Sequence, residues 1–296
     1  MDPVEVVVVG CVGVDTNAYL PGADVDLRAE GLLGPVVDAV GQAGGYSARG
    51  FAALGRATRL VASVGDDPLG SMVRRVLAAD GVDAVLAHDP LGTHRSVNLV
   101  TTDGARRNVY DARGSSVVDA DPDALAPAFA GARLVVLHLE DWCRRLVPAA
   151  VASGAAIATD LQDVRDLADP YRADFVRHAD VVFLSAAHLP DPEAAARSLA
   201  HERPGRVVVV GLGADGCLAA RGDEVLRAPA IGGDAAVVDT NGAGDALAVG
   251  VLDALVLDGL DLTTALARGQ RLARLTCERR PVDGAAKPLG GRLTGW

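Results

Sequence analysis

Short runs of β-branched and aliphatic residues recur along the chain with almost no polar interruption: Val4–Val9, Leu60–Val64, Leu134–Leu139, Ala155–Thr159, Val181–Leu184 and Val207–Val210. A strand with one wet face alternates apolar and polar residues, whereas a strand covered on both faces is apolar throughout. These runs therefore read as buried strands of a parallel sheet. Ala-rich stretches stand between them, among them Gly70–Ala79, Leu146–Ser153, Glu193–His201 and Ala246–Leu257, and read as helices. Strand alternating with helix is the pattern of an α/β fold with a mostly parallel central sheet. Half of the 296 residues are hydrophobic and 23% are charged, enough to bury a large core. No repeat, low-complexity tract or linker divides the chain, so a single domain over residues 1–296 is expected.

Two regions break the alternation. Residues around 15–45 are rich in Asp, Gly and Pro, and residues around 93–114 read as two polar strands about a turn at Asp103-Gly104, a hairpin signature. Polar strands of this kind lie outside the main core. They are expected to form a small β-sheet that projects over one end of the fold as a lid.

The formal net charge of −11 gives a surface that repels phosphate backbones, which argues against a nucleic-acid partner. The longest apolar stretch, Ala246–Leu257, is interrupted by Asp253 and is too short to span a bilayer. The opening Met-Asp-Pro-Val-Glu lacks the basic segment of a signal peptide. Cys11, Cys143, Cys217 and Cys277 form no CxxC pair and no zinc spacing, as suits thiols in a reducing compartment. A cytoplasmic protein that engages neither membrane nor nucleic acid is expected.

The densest chemical signal is Asp239-Thr240-Asn241-Gly242-Ala243-Gly244-Asp245, which opens directly into the helix Ala246–Leu257. A Gly-Ala-Gly turn lets backbone approach a ligand. The unpaired N–H groups at a helix start, with the positive end of the dipole behind them, favour an anion. Asp245 would then be placed to take a proton from an attacking hydroxyl. Taken alone, the same residues also suit a plain Gly-rich turn with Asp245 as a helix cap. The string DTNGAGD, however, resembles the C-terminal signature of the ribokinase (PfkB) family of carbohydrate kinases. That resemblance implies a ribokinase-like three-layer sandwich with a β-sheet lid, and it implies ATP with Mg²⁺ as phosphoryl donor. It assigns Asp245 as catalytic base and Gly242, Ala243 and Gly244 as the anion hole. It also implies a monovalent cation, K⁺, bordering Asp239 and Asn241.

Further matches stand in the expected order. Gly44-Gly45-Tyr46-Ser47-Ala48-Arg49, followed by Leu54-Gly55 and Gly65-Asp66-Asp67, resembles the family's N-terminal signature, whose paired glycines meet sugar hydroxyls. Arg49 stands where the family has Asn. Arg only donates and carries charge, so an acceptor bearing an acidic or phosphate group, paired with Arg49, is expected. Asp15, after the first strand, resembles the family's diol-binding carboxylate, and Glu140, ending Leu134–Leu139, resembles another substrate-binding residue. Gly211-Leu-Gly213-Ala-Asp-Gly216 reads as GxGxxG. The residues after it suggest a hairpin where a dinucleotide fold needs a helix. It resembles the kinases' nucleotide turn, with Gly213 and Gly216 approaching ATP.

Ser185-Ala-Ala-His188 replaces the family's Mg²⁺-linked NxxE element, and Glu140 or Asp160 could compensate. No all-protein metal site is expected, because Mg²⁺ arrives with the nucleotide. Arg95, Arg106 and Arg107 on the lid read as solvated charges, and the six histidines read as structural or surface groups.

The absence of GxxxxGK[ST] excludes an ordinary P-loop kinase. Three readings follow: a kinase of a small sugar or sugar-like molecule, with a nucleoside among the acceptors; a non-catalytic sensor on the same fold; and a nicotinamide oxidoreductase built on Gly211–Gly216. By resemblance, a homodimer through the lid is expected.

Overall fold

The computed structural model describes residues 2–23, 28, 30–111, 118, 121–233 and 235–281. The first strands are β1 (Val6–Val9), β2 (Gly13–Tyr19), β3 (Val36–Gly41), β4 (Thr58–Val64), β5 (Asp83–His88), β6 (His94–Val100) and β7 (Arg106–Asp111). They are followed by β8 (Leu134–His138), β9 (Ala156–Asp163), β10 (Val181–Ser185), β11 (Val207–Gly211), β12 (Cys217–Arg221) and β13 (Glu224–Ala228). The helices are α1 (Ala43–Ala53), α2 (Pro68–Ala79), α3 (Pro122–Leu125), α4 (Val147–Ala152), α5 (Pro170–Val176), α6 (Pro192–His201), α7 (Ala243–Leu252) and α8 (Leu262–Cys277).

Among the described residues the large sheet has nine strands in the order β13-β12-β11-β10-β9-β8-β1-β4-β5. All its pairs from β11 through β5 are parallel, and only β12 and β13 run antiparallel at one edge. The Val-rich runs predicted as buried strands are its centre. In β1, Val6 and Val8 pack on one face with residues of α1, α2, α7 and α8, while Val7 and Val9 pack on the other with α4 and α6. Every position of β1 is therefore buried, which is why its sequence shows no alternation.

A second sheet of four strands, β3-β2-β6-β7, carries the expected lid. The β6–β7 hairpin turns at Asp103-Gly104 as the sequence indicates. Residues 24–27, 29 and 112–114 of the predicted lid segments lie outside the described residues. The lid strand β3 runs straight into the core helix α1 through Gln42.

Helix α7 is buried from Ala246 to Leu252. It crosses α8 where Gly250 faces Gly269, so closely that a Cβ on Gly250 would lie 2.7 Å from the Gly269 Cα. This contact packs the C-terminal half of α7 tightly on α8. Helix α8 and strand β5 were not apparent from the sequence, whose charged and polar residues interrupt the apolar pattern there. None of the four cysteines forms a disulfide. Among the described residues, no helix is long and apolar enough to cross a membrane.

Candidate active site

Alternate residues of a strand share a face, and in β2 Asp15, Asn17 and Tyr19 all point inward and are buried. Their neighbours on β6 are Ser96, Asn98 and Val100. The lid thus turns a polar ladder toward the carboxyl ends of the parallel strands, where open α/β sheets place their ligands.

Asp15 is the hub. Its Oδ1 accepts from Gln42 Nε2 at 2.5 Å and Ser96 Oγ at 2.7 Å. Its Oδ2 accepts from Tyr46 OH at 2.6 Å and Asn241 Nδ2 at 3.4 Å. Asn241 also donates to Tyr46 OH at 2.9 Å, which ties the N-terminus of α1 to the loop before α7. Burial, with Asp15, Asp245 and Asp239 nearby, holds the Tyr46 phenol protonated far above its ordinary value.

Asp245 sits in the first turn of α7 and is partly open to the cleft. Its own backbone N–H and the Arg106 guanidinium favour its charge, but burial and the carboxylate of Asp160 oppose it and win. The carboxyl is pushed up to about 7. Asp160, on β9, is raised by burial as well. The turn before Asp245 has Gly242 at φ 76°, with the Tyr46 ring 3.4 Å from where a Cβ would stand. A Cβ on Gly244 would meet nothing within 4 Å. Packing therefore does not require glycine at 244, which is exposed.

The lid closes on this loop. Arg106 of β7 donates to the Thr240 carbonyl, and Thr240 Oγ1 donates to the Gly104 carbonyl at 3.1 Å. Arg106 is therefore more than the solvated charge its sequence suggests: it joins the lid to the Gly-Ala-Gly loop and lies within electrostatic reach of Asp245.

Asp239 is fully buried and accepts from Tyr19 OH at 3.0 Å and the Asn241 N–H at 2.8 Å. Asn241 turns its amide donor toward Asp15 and Tyr46.

Three predicted residues, Arg49, Gly44 and Gly45, have pairing or packing roles inside the fold. The Arg49 guanidinium is buried, donating from Nε to Asp80 at 2.5 Å and from Nη1 to the Val40 carbonyl at 2.7 Å. Its charge is used inside the fold, which corrects the expectation of an anion-binding Arg49. Gly44 and Gly45 lie within α1, where a Cβ would come within 2.6 Å of the Cys11 carbonyl oxygen and 3.0 Å of Val12 Cγ2. They let the helix press on the segment after β1. Gly41, Gln42 and Tyr46 stand against Asp15.

Glu140 lies at the other end of this polar region, its carboxyl bonded to the Cys11 thiol and raised by burial. Its Oε2 has no hydrogen-bond partner among the described residues. His138 is buried, bonds Ser47 Oγ at 3.0 Å, and is pushed by desolvation to about 4, so it is neutral and structural.

After β11, residues Gly213–Asp215 form a single 3₁₀ turn and β12 returns antiparallel. No helix follows, which removes the dinucleotide reading. Gly216, at φ 94°, has no room for a Cβ, which would lie 2.2 Å from the Ala228 carbonyl oxygen, whereas the space around Gly213 is open. Ala186, Leu212, Asp215, Arg227, Ala228 and Pro229 line an open pocket beside this turn, with a volume of about 550 Å³, within the range of small-molecule sites.

Comparison with known proteins places the fold and the family. The model of the pfkB family carbohydrate kinases matches residues 5–286. An acarbose 7(IV)-phosphotransferase of Actinoplanes sp. is 33% identical over 92% of both chains. A solved microbiome-derived acarbose kinase superposes with a TM-score of 0.86 at 31% identity, covering 97% of this chain and 98% of that one. Ribokinase of Thermotoga maritima, at 18% identity and a TM-score of 0.73 over 97% and 98% of the two chains, shares the fold. The chain belongs to the pfkB family of carbohydrate kinases.

Proposed function

We propose that this carbohydrate kinase transfers the γ-phosphoryl group of ATP to a hydroxyl of acarbose or a closely similar carbohydrate, with Asp245 as the base. The choice of acceptor follows the relatives named for acarbose, which match almost the full length of the chain. The observation that carries the chemistry is Asp245, a carboxyl raised to about 7 beside an open Gly-Ala-Gly turn. A base is most effective when its pKa lies near the working pH.

In this reading the acceptor lies between Glu140 and Asp245, beside Asp15 and its donors. Glu140 Oε2, buried and unpartnered among the described residues, accepts from a hydroxyl. Asp245 takes the proton of the attacking hydroxyl as the new O–P bond forms and the bond from the γ-phosphorus to the ADP oxygen breaks. The N–H groups of the Gly242–Gly244 turn, at the positive end of α7, hold the charge on the transferred group. Arg106, carried in by the lid, adds a positive charge at the same end.

The Gly213–Gly216 turn and the pocket beside it suit a nucleotide. Asp160 and Asp245 are hard oxygen donors, and their mutual repulsion suits a Mg²⁺ ion held through waters. Such an ion would neutralise phosphate charge. Among the described residues no cluster of three ligands forms a separate metal site.

Use of ATP fits a cytoplasmic location. The exposed Val36, Val97 and Val109 on the small sheet support a homodimer through the lid. ADP release with acarbose, fructose, ribose, sugar phosphates and nucleosides tests the function. Turnover confined to nucleosides or sugar phosphates would overturn the acarbose assignment.

A further inference from the structure

Gln42 links the last residue of the lid strand β3 to the first turn of the core helix α1. Its backbone has φ 67° and ψ 162°, a region that is essentially confined to glycine. The side chain does not cap the helix it precedes. It reaches instead to Asp15 Oδ1 at 2.5 Å. The neighbouring Gly41 presses so close to the same carboxylate that a Cβ would lie 2.3 Å from Asp15 Oδ2. The strained turn therefore has one visible result, which is to hold a carboxamide against Asp15.

A carboxylate offers about four hydrogen-bonding positions. In Asp15 they are taken by Gln42, Ser96, Tyr46 and Asn241. A vicinal diol cannot grip both oxygens unless one of these donors leaves. Ser96 and Asn241 are deeply buried, and the Tyr46 hydroxyl is held between Asp15 and Asn241. Gln42 is partly exposed. An amide that gives an N–H to Asp15 still has a carbonyl oxygen that accepts from a hydroxyl.

We propose that Gln42 determines acceptor specificity: its amide stands on Asp15 in place of an acceptor hydroxyl and presents its own oxygen to the carbohydrate. The site then selects a carbohydrate hydroxyl reached through the amide. It rejects small sugars whose binding needs both Asp15 oxygens for a vicinal diol. This inference rests on the kinase reading above and assigns the specificity of that same site.

Gln42→Gly removes the amide and suits the backbone. Gln42→Asn keeps an amide, shortened by one methylene, on a backbone no more favourable to Asn than to Gln. KM and kcat are measured for acarbose, fructose and ribose in the wild-type chain and both variants, with thermal melting alongside. The expected result is a KM for acarbose at least tenfold higher in both variants. In Gln42→Gly the ratio of kcat/KM for acarbose to that for the monosaccharides falls at least tenfold, and melting does not drop. Ratios within twofold of wild type in both variants would overturn the specificity role while leaving the kinase reading intact. A wild-type chain that turns over none of these acceptors would remove the kinase reading, and this inference with it.

Discussion

Replacing Asp245 by Asn is expected to stabilise the fold at neutral pH while removing the proposed base. Opposing effects act on this carboxyl. Its own backbone N–H and Arg106 favour its charge, and burial and Asp160 oppose it, with a net rise from 3.8 to about 7. A rise of that size corresponds to about 4 kcal/mol. The side chain is partly exposed, so solvent screening trims this to roughly 2 kcal/mol. The sign follows from proton binding. The folded chain holds the Asp245 proton more tightly than the unfolded chain, so this stabilisation is complete below about pH 4 and is lost as pH rises through about 7. Asn carries no charge at any of these pH values. Asp160 has a shift of the same direction, caused by its own burial and by Asp163, which the variant leaves in place. Thermal unfolding of both proteins, followed from acidic to alkaline pH without nucleotide, reads the effect. A gain of about 2–4 °C for Asp245→Asn is expected at alkaline pH and almost none at acidic pH. A variant that melts at or below wild type at alkaline pH would refute the reasoning, because the folded chain would then already stabilise the charge. Under turnover conditions the same change should lower kcat by about 10²–10⁴.

Further outcomes follow from neighbouring residues. Arg106→Gln should move the acidic limb of the kcat/KM profile to higher pH, since Arg106 holds Asp245 down; an unchanged profile would detach the lid from the base. Gly244→Ala meets no atom within 4 Å and should leave melting unchanged or raised by up to about 1 kcal/mol of stability. If phosphoryl oxygens pack on that turn, its kcat should fall by about 10-fold or more, and full activity would remove the anion cradle. Arg49→Met should cost about 1–3 kcal/mol by stranding Asp80 and the Val40 carbonyl. Its KM for the acceptor should not change, and a higher KM with unchanged stability would restore the anion-binding role.

The central sheet was legible because its strands are buried on both faces, which leaves uninterrupted Val-rich runs such as Val207–Val210. The lid hairpin was legible from Asp103-Gly104 and its polar flanks. The Gly242–Asp245 turn was legible as a motif, and its placement at the start of a buried helix agrees with that reading. Helix α8 was not, because arginines spaced along it, two of them paired with carboxylates, break the apolar run. The packing around the acceptor-signature glycines was not legible. The pair Gly44-Gly45 looks like a flexible turn, yet it is a packing surface inside α1. The turn that needs glycine-like freedom is held by Gln42, a residue type that sequence reasoning does not assign to positive φ. Nor does linear sequence reveal that Arg49 finds Asp80 and the Val40 carbonyl across the fold.

The most direct test of a carbohydrate phosphotransferase working through Asp245 is transfer of label from γ-labelled ATP, with Mg²⁺, into acarbose, run with the wild-type chain and Asp245→Asn side by side. Label entering the carbohydrate with wild type, and falling by at least 10²-fold in the variant, is the expected result. Equal transfer by both chains would contradict the role of Asp245. Hydrolysis of ATP without label in any carbohydrate would contradict the phosphotransferase itself.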